Sequence, residues 1–323
     1  MRAREITGRP VVSIDAADAL GEVKDVVISH ASASVVGFTL NKRGFLGSPL
    51  KEVLPWGRLR ALGRDALMVD DAGALAADDP AIEEAVAEGR DRDVIGATVM
   101  TDAGTALDVR AVDLEPDDAR QGRGDAAHPG RRHDRRLGLD PDGPGGRRGL
   151  RARRPLGLWE RRGRLPRSPH GDGGVMRLSE ADGRPVLSRA SAERLGELMH
   201  VVVDVPGRRI TALHVAGRRK KAMLVGWQDI VGFGPDGIVV TGDGAMRPPG
   251  DDRERAVAGG DLDLDGRLVL DDQGVSPGVL TDVLFDEGSG EIAAFVCGGE
   301  EIAGERLRSV GPFCVVVRAA GDP

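Results

Sequence analysis

The sequence has no tyrosine, only 3% aromatic residues and two cysteines among 323 residues. With so few rings, a core has to be built from Val, Leu, Ile and Ala. Two cysteines, Cys297 and Cys314, are too few for a disulfide framework. No histidine lies near them, which argues against a zinc site and leaves two buried thiols as the expectation. The opening, MRAREITGRPVVSID, holds no apolar run of signal-peptide length. No window approaches the ~20 apolar residues that a membrane span needs, so the chain is expected to be soluble and cytoplasmic. No Ser-His-Asp spacing, phosphate loop or His/Cys cluster stands out. The expectation is a protein that is not an enzyme and carries no cofactor.

What the sequence does have is glycine, 47 in all, and a repeat. GRPVVSIDAADALGEVKDVVIS, from Gly8, returns as GRPVLSRASAERLGELMHVVVD, from Gly183. Aligned on Gly21 and Gly196, both copies place an apolar triplet at the same offset, Val26-Val27-Ile28 and Val201-Val202-Val203. A second apolar cluster follows, Val35, Phe38 and Leu40 in one copy and Ile210, Leu213 and Val215 in the other. A third full copy opens at Gly266-Arg267-Leu268-Val269, pivots on Gly278, and continues through Val283-Leu284-Phe285 to Ile292, Phe295 and Cys297. A partial copy starts at Val94, with Gly96 and Val99 in the roles of Gly8 and Val11; its apolar pattern ends after Leu114.

Segments this short, β-branched and divided by Gly, Asp and Pro predict an all-β chain of tandem small barrels. The opening Gly-Arg-Pro-Val and the following apolar run read as a hairpin, with the pivot glycine at a bulge or bend. Trp56 and Trp227 close equivalent units, each followed seven residues later by Gly63 or Gly234; core packing is the expected role of both. DDPAIEEAVAEGR predicts a linker helix, with Asp79 as N-cap, Pro80 at the first helical position and a thin apolar face of Ile82, Ala85 and Val86. The organisation is therefore unit 1 over 1–71, the linker helix over 72–91, a partial unit 2 over 92–118, a basic insert over 119–174, unit 3 over 175–245, a linker over 246–260 and unit 4 over 261–319.

The chain carries net charge −7, yet residues 119–174 hold fifteen Arg against six Asp plus Glu. That segment contains no Val, Ile, Phe, Met, Thr or Lys and is expected to be disordered. It reads either as the product of compensating frameshifts in a GC-rich gene or as an arginine-rich arm for an anionic partner. A further basic set, Lys42, Arg43, Arg208, Arg209, Arg218, Arg219, Lys220 and Lys221, falls in loops. It is the candidate partner-binding patch, either solvated turn charge or a surface for an acidic protein or nucleic acid. DLDLDG, from Asp261, matches the first half of a calcium loop, but Asp272 stands where a longer Glu is needed and the next residues continue a strand; no metal is assigned. His200, at the position of Asp25 and Asp282 in the other copies, reads as a polar strand position.

The pattern GRPVVS…LGEVKDVVIS…VVGFTL…VLPW…LGRDALMV resembles the PRC-barrel family. That family's small β-barrel occurs in the cytoplasmic domain of a photosynthetic reaction-centre subunit, in a ribosome-maturation factor and in stand-alone bacterial proteins. The resemblance implies an adaptor or scaffold that binds other macromolecules, and it carries over no catalytic residue. A protein partner is the leading expectation; an RNA- or ribosome-associated role through the basic loops of unit 3 and the Arg-rich insert is the alternative.

Overall fold

The computed structural model describes residues 3–29, 34–44, 47–88, 98–100, 106–108, 174–217, 222–234 and 236–321. Among the described residues the chain is all-β, in three curled sheets and one further hairpin. Barrel one contains β1 (Pro10–Ser13), β2 (Asp18–Ser29), β3 (Ser34–Asn41), β4 (Pro49–Pro55), β5 (Ala61–Leu62) and β6 (Leu67–Val69), in the order β4-β3-β2-β1-β6-β5. Helix α1 (Pro80–Glu88) follows, and the partial unit shows one hairpin, β7 (Thr98–Met100) with β8 (Ala106–Asp108). Residues 119–173 of the basic insert and residues 218–221 lie outside the described residues.

After β9 (Val175–Arg177) and the short helix α2 (Leu178–Ala181), barrel three is built from β10 (Pro185–Ser188), β11 (Arg194–Asp204), β12 (Arg209–Gly217), β13 (Met223–Gly226), β14 (Ile230–Gly234), β15 (Gly237–Val240) and β16 (Met246–Arg247). Helix α3 (Asp252–Gly259) leads to barrel four: β17 (Leu268–Asp271), β18 (Gly278–Asp286), β19 (Ile292–Cys297), β20 (Glu300–Ala303), β21 (Leu307–Val310) and β22 (Cys314–Val317). The stretch read as a linker thus holds a strand and a helix. Asp251 caps α3 by accepting from Glu254 N–H at 2.7 Å, and Gly260, at φ 85°, ends it in the left-handed conformation.

Each barrel closes the same way, its first strand parallel to a late one: β1 with β6, β10 with β15, β17 with β22. The repeat explains why. Gly8, Gly183 and Gly266 all take positive φ (84°, 69° and 66°), which glycine adopts at no steric cost. The arginine after each reaches a carbonyl of the turn that leads into the parallel partner of its own first strand. Arg9 donates to Gly63 O at 2.5 Å and Arg184 to Gly234 O at 2.7 Å; Arg267 donates to Pro312 O. The pivot glycines sit at the expected bulge: the registers of β1–β2 and β10–β11 slip just after Val11↔Gly21 and Val186↔Gly196. A β-carbon on Gly196 would lie 2.3 Å from Ala216 O, so only glycine lets the third strand approach there.

Helix α1 docks on barrel one by its thin face, with Ile82 and Ala85 buried against Val27. Asp79 caps it through Ala81 N–H and Ile82 N–H, at 3.1 and 3.2 Å. Helix α3 packs Val257 against Val202, Ala212 and Leu224 of barrel three. Both cysteines are buried free thiols, and burial pushes Cys314 up to about 12.

The barrels join in two ways, both nearly twofold. Barrels three and four meet at the tips of equivalent hairpins. Ile210 N–H donates to Gly290 O at 2.8 Å, and Ile292 N–H donates to Arg208 O at 2.9 Å. These are matched residues of the repeat, so the contact is reciprocal. Strand β9, just ahead of barrel three, adds to the sheet of barrel four through β18. The two cores merge around Trp227, which is 7% exposed and meets Phe233 and Phe285 at 5.4 and 5.9 Å. Trp56 is half-buried against Phe38 within barrel one. Barrels one and four meet through their first and last strands, where Val12, Ile14, Ala66 and Met68 share a core with Leu270, Cys314 and Val316.

Candidate functional site

The joint between barrels three and four opens a groove of about 300 Å³, walled by Leu198, Met199 and His200 of β11, Asp263 and Asp265 of the segment after α3, and Asp282 of β18. Its apolar part is Leu198, Leu264 and Leu280, with Met199 45% exposed. The polar part begins from one repeat position, occupied by Asp25, His200 and Asp282. Each follows a register slip of its second strand, at Val23/Asp25, Leu198/His200 and Leu280/Asp282, and a bulge of this kind re-aims the next side chain. In barrel one, buried Asp25 accepts from Thr39 Oγ1 at 3.1 Å. In barrel four, Asp282 accepts from Ser179 N–H and Oγ–H at 3.1 and 2.8 Å and from Arg177 at 3.2 Å. Burial alone would raise the Asp282 carboxyl; these donors outweigh it and hold the group below the usual carboxylate range. Its charge therefore pins α2 to barrel four.

His200 stacks on His214, ring centres 5.5 Å apart, and its Nδ1 lies 3.4 Å from Asp263 Oδ1. Burial, and then the neighbouring His200, push His214 below the ordinary histidine value; its Nδ1 has no hydrogen-bond partner among the described residues. Asp265, exposed at the rim, and Asp182 complete an acidic edge around an apolar floor. Such a surface suits a peptide segment with apolar and basic side chains. The calcium-loop residues are dispersed: Asp263 faces His200, while buried Asp272 accepts from Arg308 and Ala319 N–H at 3.2 and 2.9 Å. Among the described residues no group of three His, Cys, Asp or Glu is arranged to hold a metal.

The basic residues singled out in sequence do not form one patch. Lys42 is exposed. Arg43 lies 3.7 Å from Glu22 and 4.0 Å over the Phe313 ring of barrel four. Arg209 donates to Ser289 O at 2.8 Å, and Arg208, at φ 51°, gives its carbonyl to Ile292 N–H. Both thus belong to the joint between barrels. Arg208 also lines a shallow hollow with Arg306 and Arg318, a convergence of basic residues that sequence spacing concealed. Arg218, Arg219, Lys220 and Lys221 lie outside the described residues. Sequence reasoning missed the groove because its walls come from two barrels. The one signal was a polar residue recurring inside the apolar run of each second strand.

Among the described residues no helix is long and apolar enough to cross a membrane. Residues 1–75 and 173–247 match the family of the PRC-barrel domain. Barrel four lies outside both segments yet repeats the first-strand-to-last-strand closure and the arginine clasp. No curated protein matches the chain.

Proposed function

For a chain that carries tandem PRC-barrel domains, we propose a non-enzymatic adaptor that binds a protein partner through the groove between barrels three and four. The family's general part in binding and scaffolding is the starting point. The observation that carries the finer reading is the groove itself, with partly exposed Met199 beside Asp263 and Asp265. Asp282 is held by Ser179 and Arg177, while Asp265 and Asp182 stay exposed at the rim. A reactive centre needs groups free to exchange protons or attack substrate, whereas a docking groove needs shape, apolar floor and charge at the rim. The preferred ligand is an extended protein segment with apolar and basic side chains. The test is copurification with nuclease treatment, followed by reconstitution with the purified partner. Met199→Asp and Asp263→Lys each weaken the reconstituted complex about tenfold or more; full-strength binding by both variants refutes the groove.

A second reading, an RNA- or ribosome-associated protein, rests on the hollow of Arg208, Arg306 and Arg318 and on the arginine excess of residues 119–174. It predicts retention that nuclease abolishes and that falls steeply with salt.

A further inference from the structure

Barrel three carries a counterpart of the surface by which barrels one and four bind each other, and its outward side chains are not buried by the described residues. We propose that this surface pairs with its own equivalent on a second copy of the chain, giving a twofold dimer.

The equivalence is read from register. Val11, Val186 and Val269 pair with Leu67, Ile238 and Val315 in the parallel closure of each barrel. The next residue on each strand faces outward: Val12 and Met68 in barrel one, Leu270 and Val316 in barrel four, Leu187 and Val239 in barrel three. The first four are 0% exposed, because the two barrels cover one another. Leu187 and Val239 are only partly buried, and neighbouring Val231 is 47% exposed. In barrel four the matching bulge residue is Arg308, which pairs with Asp272; barrel three has an apolar residue there instead.

The polar half of the contact is repeated as well. Ala17 O accepts from Phe313 N–H and Cys314 N–H at 3.3 and 3.2 Å; reciprocally, Gly274 O accepts from Asp65 N–H and Ala66 N–H at 2.9 and 3.1 Å. Both acceptors have positive φ, 49° at Ala17 and 74° at Gly274. An alanine takes that conformation only against a steric cost. Barrel three repeats it at Ala192, φ 56°, in a turn capped like that of barrel one: Ser13 Oγ accepts from Ala16 N–H at 3.1 Å, and Ser188 Oγ from Ser191 N–H at 3.2 Å. Asp236 and Gly237 stand where Asp65 and Ala66 supply the donors. The close approach needs small residues: a β-carbon on Gly63 would lie 2.1 Å from Gly274 O, and one on Gly311 would lie 2.0 Å from Ala16 O. Barrel three keeps Gly234 at that position.

The occupant follows from what the chain has to offer. Barrel four's surface is already filled by barrel one. The apolar pattern of the partial second unit stops after Leu114 in the sequence. Another copy of barrel three presents both halves of the surface, the outward residues of β10 and of β15. The contact between barrels one and four is reciprocal between homologous residues, so the surface is self-complementary in kind, as a twofold interface requires. Self-pairing also brings exposed Arg189 on the turn of one copy toward exposed Asp236 on the turn of the other.

Sedimentation of the full chain over a range of concentrations tests this independently of the adaptor groove, whose lining includes neither Leu187 nor Val239. A dimer is expected, with Leu187→Asp and Val239→Asp each raising its dissociation constant about tenfold or more at unchanged strand content by circular dichroism. If either variant loses strand content, the near-isosteric V239C chain decides: mild oxidation is expected to give a covalent dimer that wild type, with both thiols buried, does not. A wild type that stays monomeric, a dimer that both Asp variants leave intact, or a V239C chain that fails to cross-link overturns the proposal.

Discussion

Ala17 and Cys314 are joined backbone to backbone across the sequence, Cys314 N–H donating to Ala17 O at 3.2 Å. The Cys314 thiol sits in the same contact, 0% exposed and raised to about 12 by burial. Thiolate is the reactive form, so Cys314 reports whether barrels one and four are apart. A thiol reagent at pH 8 is expected to label neither Cys314 nor buried Cys297 in the native chain and both after denaturation. Rapid native labelling of Cys314 contradicts the contact.

Trp227 anchors barrel three to barrel four, stacking on Phe233, meeting Phe285 edge-on and donating from Nε1 to Gly288 O at 3.3 Å. Trp227→Ala is expected to cost ~3–5 kcal/mol in chemical denaturation. Trp227→Phe keeps most of the apolar contact and loses the hydrogen bond, a cost of ~1 kcal/mol. Equal effects from the two substitutions contradict an anchoring role for the ring.

Glu254, 8% exposed, ties helix α3 to the end of barrel three. It accepts from Arg247 at 2.5 and 2.7 Å and from Gly250 N–H at 2.6 Å. The Arg247 bonds, more than opposing burial, hold its carboxyl below the ordinary 4.5. A depressed carboxylate contributes stability that is complete above 4.5 and disappears as pH falls through the lower folded value. Glu254→Gln is expected to cost ~2 kcal/mol at neutral pH and to flatten the acid limb of a stability–pH curve. An unchanged acid limb contradicts the assignment.

His214 works in a different window. Burial, then His200, depress its imidazole, so the unfolded chain takes up a proton first as pH falls below the ordinary 6.5. Stability is complete above that value and declines below it. His214→Phe keeps a ring against His200 and is expected to remove the decline between neutral pH and the carboxylate range, read from thermal midpoints. A variant with the wild-type slope in that range places the titration elsewhere.

The repeat spacing made the barrels legible because each element of it answers a local demand. The pivot glycine marks a bulge, the Gly-Arg step marks a left-handed residue and a clasp, and the alternating valines mark the inner face. How the barrels pair was not legible. Val12, Leu187 and Leu270 occupy one repeat position, and whether each is covered depends on which barrel lies opposite. Helix α3 was hidden because DRERAVAG buries only Glu254 and Val257, too little to give a helical apolar stripe. The groove was hidden because His200, Asp263 and Asp282 come together only once the two barrels share a core. Arg208 and Arg209 looked like loop charge, and their place in a joint between barrels depends on Ser289 and Ile292, far along the chain.

Barrels one and four form a single body through their shared core and reciprocal backbone bonds. Gly63→Val tests it, because a β-carbon at Gly63 meets the backbone of Gln273 and Gly274 in barrel four. Hydrogen exchange is to be compared between wild type and variant at Leu67–Val69 and at Val315–Val317. Both strands are expected to lose protection together. Loss confined to Leu67–Val69, with Val315–Val317 unchanged, would contradict it.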